Sequence, residues 1–352
     1  MLTLVVPYYN HPNSLPRLLD SVLAQTLKDI TVVLVDDGSE QPCDSVVRDY
    51  KEKGLRVDLL KVGEHRGTKH ARLLGMEAAS TRIIGFADAD DVLWGTETLE
   101  LHVRRMLDEG ADMLHCNMFD LDDDGGHIYQ WAGPITERSE GLDTFSHYVR
   151  ENMRGHNVYT KLISRDLCRA CIPFARQSRI RRYMEDFLLA SLFFFHSRTY
   201  IGSELVGYAR KPRNTKAVKT PGRLVALSLL LHEFVPYVLE QGCPLPLAEA
   251  CSHSLRHKIQ RTMRDFHQFE QTGMYATADS LYASAFLEHG DEVTVVQALL
   301  EGHPLVRSIQ CDRKNRELRS VLKKGHPIHR LSFAARDAAG LIAGLFRRPA
   351  CK

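Results

Sequence analysis

The sequence predicts an α/β fold, a mainly parallel sheet with helices on both faces followed by a helical C-terminal region, on three observations. Short β-branched runs alternate with helical periods from residue 2 to residue 87. The second and fourth of those runs end in carboxylates. Beyond about residue 217 the pattern turns to helices alone.

Residues 2–7 form an apolar run ended by Pro7, as in a buried parallel strand. A helix follows with Leu15, Leu18, Leu19, Val22 and Leu23 on one face. Residues 30–35 are a second strand, ending in Asp36-Asp37-Gly38-Ser39, and a helix spans 43–53. Residues 57–62 are a third strand, followed by His65-Arg66-Gly67 and a helix over 69–79. The fourth, 83–87, runs into Asp88-Ala89-Asp90-Asp91. Further strands are expected at 112–119, 158–164 and 200–209, the last two around a helix at 185–195, with a turn at 122–126. Helices are then expected at 223–241, 247–270, 276–289 and 292–301. The predicted organisation is a catalytic domain over 1–216, a helical domain over 217–310 and a basic tail over 311–352.

The composition is that of an ordinary globular protein, and a net charge of +2 over 352 residues gives no reason to propose nucleic acid as a partner. Residues 313–352 carry eleven Lys and Arg against two acidic residues, which leaves the rest of the chain at −7. A basic tail on an acidic body suits an anionic surface. The eight cysteines are scattered through a chain too large to need disulfide staples, so reduced thiols in a cytoplasmic protein are expected. Cys168 and Cys171 have metal-ligand spacing without a second pair, as do His253 and His257; buried thiols and helix-face histidines are the simpler reading. The sequence opens on a strand pattern, so no secretory signal is expected, and no apolar run reaches the ~20 residues of a membrane span.

Chemistry concentrates at the strand ends. Asp88, Asp90 and Asp91 would repel one another unless something positive sits among them, and a hard divalent cation with oxygen ligands resolves this. The alternative is an acidic turn before the next helix. One carboxylate of Asp36-Asp37-Gly38-Ser39 can accept hydrogen bonds from a nucleotide base or ribose, or the segment can form an Asx-type turn. Tyr8-Tyr9-Asn10 offers an aromatic face for a base, or holds a surface tyrosine.

In order and spacing, Pro7-Tyr8-Tyr9-Asn10, Val35-Asp36-Asp37-Gly38-Ser39, Arg66-Gly67 with Gly75-Met76-Glu77-Ala78-Ala79, and Phe86-Ala87-Asp88-Ala89-Asp90-Asp91 resemble the signature of family 2 glycosyltransferases of GT-A fold. Tyr159-Thr160-Lys161-Leu162 and Glu185-Asp186 extend the resemblance, which covers about residues 1–215. It implies a Rossmann-like GT-A sheet and a donor site of Pro7, Tyr9, Asp37, Arg66, Lys69, Asp88 and Asp91. It also implies Asp90 as ligand to Mn²⁺ or Mg²⁺, and Asp186 as general base with Glu185 orienting it. Arg66, Lys69 and Arg72 could reach the diphosphate or be solvated helix-face cations. The implied reaction is inverting, metal-dependent transfer from a nucleotide-sugar, UDP by family frequency, to a hydroxyl of a glycan or lipid-linked acceptor in surface polysaccharide synthesis.

The Gln-x-x-Arg-Trp segment of processive members is absent, which points to one sugar per encounter. The family often carries Asn near the helix after the third strand; here His65 and Arg66 precede Gly67, and Arg72 is followed by Leu73. Tyr208-Ala209-Arg210 with Asn214-Thr215 resembles the family's Tyr-x-Arg segment. Residues 331–348 combine apolar residues with flanking cations, which suits either a helix lying on an anionic membrane or one docked on the protein. Two competing readings are a nucleotidyltransferase, which would want a Gly-rich basic loop after the first strand, and a non-catalytic sugar-nucleotide-binding scaffold.

Overall fold

The computed structural model describes residues 1–121, 127–130, 133–180, 184–210 and 221–271. By its contacts the chain forms two units, one of residues 1–214 with 236–254 and one of residues 215–235 with 255–352.

In the first unit, β1 (Leu2–Tyr8), β2 (Ile30–Asp36), β3 (Arg56–Lys61) and β4 (Ile83–Phe86) alternate with helices α1 (Leu15–Leu23), α2 (Asp44–Glu52) and α3 (Thr68–Ala78). The runs of β1, β2 and β4 are buried on both faces, as parallel strands between helices require, while β3 lies at the sheet edge with only Val57 buried. Next come β5 (Val92–Leu93), α4 (Thr98–Asp108), β6 (Met113–Leu121), β7 (His127–Gln130), β8 (Arg138–Glu140) and α5 (Leu142–Arg150). A 3₁₀ turn at Val158–Thr160 leads to β9 (Lys161–Ser164), α6 (Arg165–Gln177), α7 (Glu185–His196) and β10 (Thr199–Arg210).

The sheet order is β3-β2-β1-β4-β9-β6-β10-β5. The pairs β3-β2, β2-β1, β1-β4 and β6-β10 are parallel. The sheet is mainly parallel in its paired residues but also mixed, because β9 lies antiparallel between β4 and β6, with Gly85 opposite Leu162 and His115 opposite Lys161. The chain enters β9 from the 3₁₀ turn beside the carboxyl end of β4, not through a crossover from the far side. This reversal serves the site. The carboxyl ends of β1, β2, β4, β6 and β10 and the amino end of β9 all meet at one rim of the sheet.

Helix α3 packs closely on β1 because Gly75 has no side chain; an added Cβ would lie 2.4 Å from Val5 Cγ1. Helix α7 is apolar all round, from Phe187 to Phe195, and is buried as such a helix must be. Its only acidic end, Glu185-Asp186, is at the N-terminus.

The main segment of the first unit ends at residue 214, and residues 236–254 return to that unit. Tyr237 explains this: its ring stacks on Phe174 at 4.0 Å, and its hydroxyl lies 2.7 Å from His196 Nε2. In the second unit the described residues are helical, with α8 (Pro221–Leu229) leading into a π turn at Leu230–Phe234. Helix α9 (Val235–Glu240) and helix α10 (Leu245–Gln271) complete the described chain. The expected turn at 122–126, Asn214-Thr215, the helices beyond 272 and the tail over 311–352 lie outside the described residues. Among the described residues no helix is long and apolar enough to cross a membrane.

Candidate active site

The loop after β2 is built around Asp37, which is 2% exposed. Its carboxylate accepts from Arg66 N at 3.1 Å and Gly67 N at 2.7 Å, and His65 Nδ1 lies 2.8 Å from Oδ2. Gly38, at φ +76°, lets this turn meet the 64–65 backbone, where an added Cβ would come within 2.6 Å of Glu64 C. Tyr9, 38% exposed, stacks on the His65 ring. Pro7, Tyr9, Asp37, His65, Asp88 and Asp90 border one hollow of about 150 Å³.

The acidic run after β4 is anchored by Tyr208 from β10. Asp88 N donates to the Tyr208 hydroxyl at 3.0 Å, and that hydroxyl donates to Asp91 Oδ2 at 2.8 Å. Asp91 is 1% exposed and supports the run from beneath. Carboxylate oxygens of Asp88, Asp90 and Asp91 lie within 4.8 Å of one another, the hard oxygen donor set that suits a divalent cation. Tyr208→Phe removes the bridge and leaves Asp91 buried without that donor. It is expected to cost ~1–3 kcal/mol of stability, read by chemical denaturation.

The residue that joins the two sides is Arg72, 2% exposed on α3. Its guanidinium donates to Asp88 Oδ1 at 2.6 Å and to Glu185 Oε1 at 2.9 Å. Burial opposes its charge, but Asp88, Glu185 and Asp186 outweigh that and hold it protonated. Burial raises both Glu185 and Asp186 above the usual carboxylate range, and Arg72 opposes the rise. Met184, just before this pair, sits at φ +60°, a conformation costly for a side chain and typical of a constrained site.

A wider cleft of about 480 Å³ opens beside Arg72, Asp88, Glu185 and Asp186. Its far wall is His156, Asn157, Tyr159 and Arg210. Lys161, 1% exposed, fixes that wall by donating to Gly155 O at 2.5 Å, Asn157 O at 2.7 Å and Thr160 Oγ1 at 3.2 Å. Burial pulls its pKa down to about 7. Tyr159 stacks on Tyr208 at 4.5 Å, and Arg210 forks onto Asp120 at 2.8 and 2.9 Å.

The structure thus brings Pro7, Tyr9, Asp37, Asp88, Asp90, Asp91, Glu185 and Asp186 to one rim. Two expected donor residues point elsewhere. Lys69 Nζ donates to Ala175 O and Ser178 O, capping the carboxyl end of α6, where a cation is favoured. Arg66 is exposed and pairs with Glu64 at 2.7 Å. Of the three cations considered, Arg72 alone lies between Asp88 and Glu185; the legible signal was an arginine inside the buried stripe of α3. Cys168 and Cys171 are core thiols, pushed up by burial, and Cys168 Sγ donates to Met76 O at 3.8 Å. His253 and His257 are exposed on α10.

Residues 3–175 match the family described as "Glycosyl transferase family 2". The chain is 29% identical over 128 residues to "Glycosyltransferase GlyA" of Streptococcus pneumoniae, covering 36% of this chain and 18% of that one. It is 26% identical over 172 residues to "Uncharacterized glycosyltransferase YibD" of Escherichia coli, covering 47% of this chain and 49% of that one. The chain therefore spans less than half the length of these relatives. The fold resembles S. aureus TarS 1-349 in complex with UDP, at TM-score 0.56 and 16% identity, covering 98% of this chain and 90% of that one. It also resembles the same protein in complex with UDP-GlcNAc, at TM-score 0.54 and 17% identity over 98% and 90% of the two chains.

Proposed function

The chain belongs, through residues 3–175, to glycosyl transferase family 2, and on that premise we propose that it transfers a sugar from a UDP-linked donor to an acceptor hydroxyl with inversion. One observation carries the reading. Arg72 ties a metal-suited acidic run to a half-buried Glu-Asp pair beside a cleft of about 480 Å³. The complexes of TarS with UDP and UDP-GlcNAc support the choice of donor.

In this reading Tyr9 and Asp37 receive the base, and Asp88 lies near the ribose. Asp90, with Asp88 beside it, would hold Mn²⁺ or Mg²⁺, whose charge would offset that of the departing diphosphate. The acceptor enters against the wall of His156 and Asn157. Asp186 accepts its hydroxyl proton as the oxygen attacks the anomeric carbon from the face opposite the diphosphate. Arg72 keeps Glu185 and Asp88 in place throughout. The acceptor class we propose is a glycan or lipid-linked glycan of surface polysaccharide, reached by the basic tail at an anionic membrane.

Calorimetric titration with UDP and Mn²⁺ tests the donor side. Binding is expected to weaken strongly in EDTA and in Asp90→Ala. Equal affinity with and without metal would remove the metal from this reading.

A further inference from the structure

His65 engages two donor-side residues at once. Its ring lies on Tyr9 with centroids 3.9 Å apart and planes 24° from parallel. No second ring fits between two rings at that separation. Its Nδ1 lies 2.8 Å from Asp37 Oδ2. An ionised carboxylate is acceptor-only, so Nδ1 carries the proton in that contact. A flat aromatic face beside a buried carboxylate selects a planar heterocycle with an N–H on its edge. Imidazole is such a heterocycle, and so is the base of a nucleotide.

We propose that His65 stands in for the donor's base: in the donor-free protein its ring holds the face of Tyr9 and the edge of Asp37, and the incoming base displaces it. This rests on the nucleotide-donor reading above. The loop need not move with the ring, because Arg66 N and Gly67 N bind the same carboxylate independently of the His65 side chain. The side chain is 31% exposed and borders both the smaller hollow and the wider cleft, so it has open space to turn into. A ring that must leave before the base enters lowers nucleotide affinity and leaves a base-free ligand unaffected.

The test is calorimetric titration of the full chain and of His65→Ala with UDP, GDP and pyrophosphate, each with Mn²⁺. His65→Ala is expected to bind one nucleoside diphosphate about two- to tenfold tighter, the range one aromatic stack supplies, with pyrophosphate affinity unchanged. Weaker or unchanged nucleotide binding in His65→Ala would overturn the proposal, the former by making the ring part of the base's own platform. A parallel gain for pyrophosphate would overturn it too, by showing an effect unrelated to the base. If folded wild type and variant bind neither nucleotides nor pyrophosphate, the donor reading itself fails. Cooperative thermal unfolding of both proteins establishes that they are folded.

Discussion

Asp186→Asn is expected to lower transfer by ~10²–10⁴-fold, the usual contribution of a positioned general base, while UDP binding stays at the wild-type level. Asp186 opens α7 at the floor of the wider cleft, and its Oδ1 accepts from Phe187 N at 2.7 Å, a bond that Asn can also accept. Burial raises its pKa, with Asp88 adding to the rise and Arg72 and Lys161 opposing it. A raised carboxylate is a stronger base once ionised. The acid limb of the wild-type pH–rate profile should therefore lie above the ordinary Asp value of ~3.9, with activity falling as pH drops through it. The sign for stability is opposite. A folded-state pKa above the unfolded one contributes stability below the unfolded value, and that contribution is lost as pH rises through the folded value. At neutral pH the uncharged Asn variant should thus be at least as stable as wild type. Loss of transfer with unchanged denaturation and unchanged UDP titration would separate a chemical role from a structural one. Full transfer by Asp186→Asn would remove this carboxylate as the base.

The first four strands were legible because short apolar runs, buried in β1, β2 and β4, alternate with helices of ordinary length. The reversal at β9 was not legible. Four residues, Lys161–Ser164, carry no directional signal, and their orientation is set by pairing with β4 and β6 far away in the chain. The 3₁₀ turn at Val158–Thr160 read as strand for the same reason, since its residue types suit either. Helix α5 is nine residues long, with Phe145, Tyr148 and Val149 as its apolar side, and helix α6 has Pro173 in its interior. The first is short, and in the second an interior proline reads as a helix break despite the periodic face of Leu167, Cys168, Cys171 and Ala175. At the site, the acidic run showed itself by following a strand. The ion pair that joins it to the Glu-Asp pair did not, because Arg72 meets Glu185 across 113 residues of sequence. Lys69 and Arg72 lie three apart on α3 and look alike in sequence. What separates them is tertiary: the carboxyl end of α6 takes one and the Asp88–Glu185 gap takes the other.

That gap makes Arg72→Met the most damaging substitution expected for the fold and the site together. The guanidinium is 2% exposed and holds Asp88 and Glu185 with separate nitrogens, 2.6 and 2.9 Å away. Met keeps much of the length and the apolar stem but leaves the carboxylates of Asp88, Glu185 and Asp186 crowded around a neutral side chain. Breaking a buried pair by removing one partner costs ~3–5 kcal/mol, because the remaining charge is left uncompensated. A loss of that size should appear in chemical denaturation at neutral pH. It should shrink as pH falls, since burial already favours the protonated forms of Glu185 and Asp186, and without Arg72 those protons bind at higher pH still. Arg72→Lys retains the charge, but a single ammonium cannot fork between two carboxylates as the guanidinium does, so partial recovery of stability and poorer recovery of transfer are expected. A deficit in Arg72→Met that stayed constant between neutral and acidic pH would mean that packing, not charge, is what Arg72 contributes. Arg72 would then not be the link between the donor-side acidic run and the base.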